Sequence, residues 1–407
     1  MKGVQSALRP ITAGFTLIGR GNWTGGETYL RNMLGTIKGE LSGNVAPKLF
    51  LSQAQAEKLK GSLDPFLVCP PIIDEVFADR GRGTRLARAL ALGSDRAAER
   101  VFKANGVDVV FESATFYGHR FGLPVVSWIP DFQHRHLPHL FTKPQWWRRD
   151  AGFRAQIATN RTIMLSSDNA REDCERFYPA SRGKIKVVKF AIDFDPARHV
   201  ARHAEIIATY ALPDRFFYLP NQFWKHKNHG LVVDALSILK SEGKLDAMPP
   251  VVLTGRTDDP RNPKYFDDLM QSVQSRGLAT DFRYLGLIPY DDVFGLAGSC
   301  DAMINPSLFE GWSTTVEEAK GLGCRMLLSD IAIHREQAPD ASFFSASDPN
   351  TLAQVLLSVA TGRAFVRENT DKLLALQHLR RSTYASSLLE TFSAAIRRGA
   401  PLCANAA

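Results

Sequence analysis

Short apolar runs alternate with amphipathic stretches along almost the whole chain. In the first half, AGFTLIG, PKLFLS, DPFLVC, VDVVFES, LPVVSWI, RTIMLSS and KIKVVKF predict buried strands. Between them GGETYLRNMLGTI, GTRLARALALGSDRAAERVFKAN and NAREDCERFY predict helices. The second half repeats the scheme with RFFYLP, PPVVLTG, FRYLGL, AMINP and RMLLSD. Short buried strands separated by helices form parallel sheets covered on both faces. Two such series imply an α/β chain of two Rossmann-like domains. The boundary is expected in AIDFDPARHVARHAEI, where the buried pattern lapses, giving domains over residues 1–195 and 196–377. An amphipathic stretch, RRSTYASSLLETFSAAIRR, follows the second series.

Composition narrows the class. A length of 407 residues suits two or three domains, each with its own core. No run of about eighteen apolar residues is present, so no spanning helix is expected. The stretch MKGVQSALRPITAGFTLIG lacks the apolar core and cleavage site of a signal peptide and reads as a first strand. The cysteines, Cys69, Cys174, Cys300, Cys324 and Cys403, are odd in number and scattered, which suits reduced thiols in the cytoplasm. Charge is uneven. Residues 1–195 hold 28 Lys and Arg against 19 Asp and Glu, and residues 196–407 hold 22 against 23. A basic first half fits anionic substrates, an anionic membrane surface or nucleic acid.

The chemistry concentrates in NPSLFEGWSTTVEEAKGLGCRMLLSD, which carries Glu310 and Glu318. The run before it reads as a buried strand, and Gly311 permits a sharp exit from it. Ser313, Thr314 and Thr315 are N-cap types, so a helix is expected to begin among them. Its free N–H groups then point toward the strand end and offer an anion site. Were the intervening residues fully helical, the two carboxylates would stand about 12 Å apart. That matches the span from sugar to ribose in a nucleotide diphosphate sugar. An exposed helix supplies such glutamate pairs by chance; the flanking strands and Gly311 favour the functional reading.

At these residues the chain resembles retaining glycosyltransferases of the GT-B fold, in particular glycosyltransferase family 4. The family's E-x7-E signature joins a Glu-Gly pair to a helix with a second Glu before Ala. Here these are Glu310-Gly311 and Glu318-Ala319. The resemblance implies two parallel sheets facing a central cleft and a final helix, about residues 378–407, returning to the first domain. It also implies that Glu310 holds the donor sugar and Glu318 the ribose, with Gly311, Trp312, Ser313 and Thr314 against the donor between them.

Three further segments carry candidates. In IGRGNWTGGETYL, Gly25 and Gly26 precede a helix, where backbone N–H groups can approach an anion. The spacing is not the dinucleotide fingerprint. It resembles the Gly-Gly loop of many GT-B transferases, although a tight turn without a ligand fits equally. In YLPNQFWKHKNHGLVVDAL, the residues Lys225, His226, Lys227 and His229 form a cationic cluster after a strand. Fixed cations there stabilise a leaving diphosphate as its charge develops. The family has Gly-Arg and then Lys five residues later. Here Asn221-Gln222 replaces Gly-Arg while Lys227 keeps the lysine, so Gln222 offers hydrogen bonds without charge and Lys225 is the candidate to compensate. In VVSWIPDFQHRHLPHLF, Asp131 inherits the acid of the family's acceptor-side His-Asp pair, with His134 as the nearest imidazole. His134, His136 and His139 are a weak metal pattern. Asp193-Phe194-Asp195 mimics the D-x-D metal motif of the other glycosyltransferase fold and reads as incidental.

The expectation is a cytoplasmic, retaining glycosyltransferase with no cofactor and no metal, using a nucleotide diphosphate sugar. Its acceptor would be a glycan or lipid-linked saccharide of surface polysaccharide biosynthesis, with Glu310, Lys227 and Asp131 nearest the chemistry. Arg80, Arg82, Arg85 and Arg88, and Arg148 and Arg149 beside Trp146 and Trp147, suit peripheral binding to an anionic inner membrane face rather than to nucleic acid. A GT-B-like nucleotide-sugar epimerase and a non-catalytic glycosyltransferase-like partner subunit are the competing readings.

Overall fold

Parallel pairing seats each short apolar run between neighbours and under helices, and the chain builds that arrangement twice. The computed structural model describes residues 9–19, 24–113, 115–362 and 365–399. Among these, the first sheet contains β1 (Ile11–Thr16), β2 (Val45–Leu51), β3 (Ile72–Ile73), β4 (Val109–Ser113), β5 (Val125–Trp128), β6 (Thr162–Leu165) and β7 (Ile185–Val187). The second contains β8 (Phe217–Leu219), β9 (Val251–Leu253), β10 (Phe282–Tyr284), β11 (Ala302–Asn305), β12 (Met326–Ser329) and β13 (Ser342–Phe344). The strand orders are β3-β2-β1-β4-β5-β6-β7 and β10-β9-β8-β11-β12-β13. In both sheets the direction of winding reverses beside the first strand, between β1 and β4 and between β8 and β11. Open α/β sheets bind ligands at that point, beyond the strand C-termini.

The helices that bear on function are α1 (Thr24–Glu40), α2 (Arg82–Leu92), α3 (Arg96–Ala104), α4 (Lys143–Ile157), α5 (Tyr290–Ser299), α6 (Thr314–Gly321), α7 (Ala332–Gln337) and α8 (Thr370–Gly399). No helix among the described residues is long and apolar enough to cross a membrane.

By contacts the described residues form two units. One runs to Phe132, with Lys143–Asp193 and the residues from Leu379 onward; the other is Gln133–Thr142 with Phe194–His378. In the second unit Phe217, Leu219, Val251, Leu253 and Ile304 join one core, while Phe216, Tyr218, Val252 and Met303 join another. Alternate residues of each strand are therefore buried on opposite faces. Each large side chain so buried contributes about 1.5–3 kcal/mol. In the first unit Phe50, Phe77 and Phe102 cluster with Val107 and Val110, and Phe392 of α8 packs edge-on against Phe15.

The α/β class and the parallel sheets are those that the pattern predicts, with local differences. The single helix expected over residues 83–105 is two, α2 and α3. Gly93 adopts φ 83°, ending α2 in the left-handed region that suits glycine, and Asp95 caps α3 by accepting from the Ala98 N–H. DPFLVC is not a strand. Pro65 starts a short 3-10 turn at Asp64–Phe66, and the strand falls at Ile72–Ile73 instead. The edge strand β13 was not anticipated, because three residues carry no readable alternation.

Candidate functional site

Two segments meet at the switch point of the second sheet, one leaving β8 and the other leaving β11. Asn305, the last residue of β11, is fully buried and ties them together. Its Oδ1 accepts from Asn221 Nδ2 (3.3 Å) and the Ser307 backbone N–H (3.3 Å), and its Nδ2 donates to Ser313 Oγ (3.0 Å) and Thr315 Oγ1 (3.3 Å). The β9 exit is drawn in as well. Gly255 has φ 142°, and a Cβ there would lie 2.5 Å from the Asn221 carbonyl oxygen, so only glycine allows this approach.

On this frame Lys227 Nζ donates to Glu310 Oε1 at 2.6 Å, and Ser307 Oγ donates to the same oxygen at 2.6 Å. Both ion-pair partners are largely buried. Burial alone would raise the Glu310 carboxyl, but Lys227 and then His226 outweigh it and hold it down to about 2. Glu310 is therefore an anion at neutral pH, and one of the three Lys227 N–H donors is spent on it.

Glu318 behaves oppositely. It is buried on α6 and accepts from the Tyr290 hydroxyl of α5 at 2.7 Å. Burial raises it to about 7 against that single lowering contact. Between the two glutamates, Ser313 occupies the N-cap of α6 without capping it by its side chain. The Gln337 amide of α7 pins Ser313 instead, accepting from its N–H (3.0 Å) and donating to its carbonyl (2.7 Å). The first-turn N–H groups of α6 remain suited to an anion. A guanidinium also stands nearby. Arg261 approaches His226 Nδ1 at 3.5 Å, donates to Gln133 Oε1 at 3.0 Å and lies over the rings of Phe141 and Trp224.

The expected residues are distributed as follows. Glu310, Gly311, Trp312, Ser313, Thr314 and Glu318 lie on one loop and helix, with Lys227 against Glu310. Helix α6 covers only Thr314–Gly321, so the fully helical premise behind a 12 Å separation fails for Glu310, which sits in the loop. The cationic cluster is smaller than expected. Lys225 is exposed, whereas His229 is buried against Phe223 and pushed down to about 3, chiefly by burial, so it is neutral. Gln222 is half-buried. Gly25 and Gly26 lie inside the first turn of α1 rather than ahead of it, and residues 20–23 of that loop, with Gly21, fall outside the described residues.

Asp131 belongs to the first unit, where Arg149 of α4 pairs with it at 2.6 Å. His134 is buried beside Phe141. Asp193 pairs with Arg381 and Asp195 caps the helix that begins at Pro196, so the D-x-D look-alike has structural employment. Among the described residues no group of three or more His, Cys, Asp or Glu side chains is placed to hold a metal. Cys403 lies outside the described residues, and Cys69, Cys174, Cys300 and Cys324 are free thiols. Sequence reasoning missed Asn305, Ser307, Tyr290, Gln337 and Arg261. Only Asn305 carried a signal, as a polar residue ending an apolar strand.

Residues 207–371, the bulk of the unit that holds these groups, match the model of the family Glycosyl transferases group 1. The serotype-specific mannosyltransferase WbdA of Escherichia coli is 27% identical over 248 residues, which are 60% of this chain and 28% of that protein. The O-antigen chain mannosyltransferase B of Escherichia coli is 24% identical over 254 residues, 60% of this chain and 62% of its own length. The chain thus spans less than two thirds of these relatives. Anabaena HepE, solved in complex with UDP and glucose, superposes with TM-score 0.64 at 15% identity, covering 94% of this chain and 100% of that one. WaaG, a glycosyltransferase involved in lipopolysaccharide biosynthesis, gives 0.59 at 14% identity over 94% and 98%. The chain therefore has the fold of the GT-B glycosyltransferases, and its residues 207–371 carry a glycosyl transferases group 1 region.

Proposed function

We propose that this chain is a retaining, metal-independent hexosyltransferase of surface polysaccharide biosynthesis, moving a sugar from a nucleotide diphosphate sugar to a saccharide or lipid-linked acceptor. The observation that carries the reading is the Lys227–Glu310 pair at the switch point, beside the uncapped N-terminus of α6. A diphosphate laid on that N-terminus meets backbone N–H donors and an ammonium that keeps two free hydrogens. Both interactions strengthen as the leaving phosphate gains charge, so they lower the barrier and not merely the ground state. Glu310, held anionic, accepts from the donor sugar's hydroxyls. Glu318 faces the ribose, and Tyr290 orients it.

Retention follows if the departing phosphate takes the acceptor's proton on the face it leaves. That route needs no covalent sugar on the enzyme, and it leaves Glu310 to orient and stabilise the sugar. Asp131 is assigned to the acceptor, with Arg149 fixing its carboxylate. The mannosyltransferase relatives make a mannosyl donor the first to try.

The test is incubation with nucleotide-linked hexoses, mannose first, and a saccharide or lipid-linked acceptor, with the product's anomeric configuration read by NMR. Transfer with retained configuration is expected. Inversion would refute retention. Epimerised nucleotide sugar without transfer would restore the epimerase reading, and binding without any turnover would restore the partner-subunit reading.

A further inference from the structure

Helices α5 and α6, which bring Tyr290 and Glu318 together, end beside each other on two cysteines. Cys300 directly follows α5, and Cys324 lies just beyond α6. Both are buried free thiols, and both address one acceptor, the Ala297 carbonyl. Cys324 Sγ stands 2.6 Å from that oxygen and Cys300 Sγ 3.4 Å. The two sulfurs are therefore within reach of each other.

One guanidinium closes the cluster. Arg367 Nη1 donates to the Leu322 carbonyl (3.2 Å) and to Cys324 Sγ (3.3 Å). Its Nη2 donates to the carbonyls of Cys300 (2.9 Å) and Ala297 (3.3 Å). Among the described residues no carboxylate pairs with it. Asp301, the acid that acts on Cys300, is held by Arg215 at 2.7 Å, and Arg325 lies over the Phe365 ring at 4.9 Å. The ends of α5 and α6 offer Arg367 only partial charges. A buried cation without a full counter-charge is costly, and the Cys324 sulfur is the one ionisable atom that Arg367 touches among the described residues. This thiol can ionise without stranding its neighbours. Ala297 keeps the Arg367 N–H, and the Cys300 S–H turns to the Cys324 sulfur. That hydrogen bond first, and Arg367 after it, lower the Cys324 thiol against its burial, whereas burial pushes Cys300 well up.

We propose that Cys324 and Cys300 form a peroxide-oxidisable thiol pair, in which Cys324 attacks, Cys300 resolves the product into a disulfide, and Arg367 holds the thiolate. The Cys324 sulfur bonds to one peroxide oxygen as the O–O bond breaks. The other oxygen leaves as hydroxide and takes up the proton that Cys324 released, giving water. The Cys300 sulfur then attacks the sulfenic sulfur of Cys324: the S–S bond forms, the S–O bond breaks, and hydroxide leaves with the Cys300 proton as a second water. Two thiols lose two electrons and one peroxide gains them. Arg367 arrives from residues 365–369, a stretch outside helix and strand with Val366 exposed, so local opening there uncovers the pair. The disulfide would fix the ends of the two helices that set Tyr290 against Glu318.

Treatment of the full chain with hydrogen peroxide at pH 7, then alkylation and peptide mass mapping, tests this without reference to glycosyl transfer. A cross-link between Cys300 and Cys324, reversed by dithiothreitol, is expected in the parent and equally in Cys69→Ser. Cys300→Ser should leave Cys324 as a sulfenic acid that dimedone traps, and Cys324→Ser should leave Cys300 unoxidised. Arg367→Gln should slow the reaction about tenfold at pH 7 and move its pH midpoint upward. If Arg367 only caps the helix ends, that variant keeps the parental midpoint, and the proposal is overturned. Should Arg367→Gln not fold, the parent decides: a Cys324 midpoint no lower than that of an ordinary thiol, about 8.5, overturns it. So does a parent in which peroxide oxidises Cys69 and leaves Cys300 and Cys324 as free thiols.

Discussion

Lys227 Nζ and Glu310 Oε1 stand 2.6 Å apart although 83 residues separate them, in a setting where neither charge has much access to water. Removing one partner of a buried pair strands the other, at about 3–5 kcal/mol. Lys227→Met and Glu310→Gln should each destabilise the chain, and the double variant should lose clearly less than the two losses together. Denaturant unfolding of the four proteins measures this. Additive losses would mean that the two charges do not sense each other. In activity, Glu310→Ala should lower kcat/KM by about 2–4 kcal/mol, whereas Lys227→Ala should weaken nucleoside diphosphate affinity and turnover together. Unchanged product affinity would move Lys227 away from the diphosphate.

Gly255 is the backbone counterpart of that pair. Alanine at φ 142° is strained, and its Cβ would meet the Asn221 carbonyl oxygen at 2.5 Å. Gly255→Ala should therefore cost about 1–3 kcal/mol for the dihedral alone, and it should push the β8 exit away from Asn305. A lowered melting temperature together with weakened donor binding is expected. A variant with parental stability would show that the β9 exit can move aside freely.

What was legible before the structure depended on the range of the interaction. The strands β8, β11 and β12 and the start of α6 at Thr314 follow from local runs and N-cap residue types, so they could be read directly. The pairing of Lys227 with Glu310 could not be read from spacing; only the resemblance placed both at one ligand. The supports were invisible. Asn305, Ser307 and Gln337 act through contacts across β11, its exit loop and α7, and no local pattern records which partner a buried amide will find. The charge count likewise overstated the cluster near Lys227, because His229 is buried and neutral while Lys225 faces solvent. The break between α2 and α3 was signalled by Gly93 and Asp95, but the helical periodicity on either side masked it.

Transfer should survive exhaustive chelation. Lys227 and the α6 N-terminus can supply to the diphosphate the positive charge that a divalent ion gives elsewhere, and Arg261 lies close enough to His226 to add to it. The measurement is transfer rate before and after dialysis against EDTA. Loss of activity restored by manganese or magnesium would require a metal bound with the donor and would count against this assignment of Lys227.

Glu318 gives a pH signature opposite in sign to that of Glu310. Its carboxyl sits at about 7 in the folded chain, against 4.5 ordinarily, because burial favours the neutral form. Below 4.5 both folded and unfolded chains carry the proton, so the group contributes no pH dependence there. Between 4.5 and about 7 the folded chain keeps a proton that the unfolded chain releases, and stability falls as pH rises, by an amount on the order of 3 kcal/mol in all. Above 7 the loss is complete. Glu310, held at about 2, instead contributes stability that is full above 4.5 and disappears only as pH falls toward 2. Glu318→Gln keeps the shape of the neutral acid and removes the ionisation, so it should stabilise the chain at pH 8 by roughly 1–3 kcal/mol while leaving stability at pH 4.5 nearly unchanged. It should also weaken donor binding, since an amide can accept at only one atom where the carboxylate accepts at two. Thermal unfolding of parent and variant across that range is the measurement. A variant curve parallel to the parent's would mean that Glu318 ionises as readily in the fold as in water, and the buried setting made by α6 and Tyr290 would lose its functional meaning.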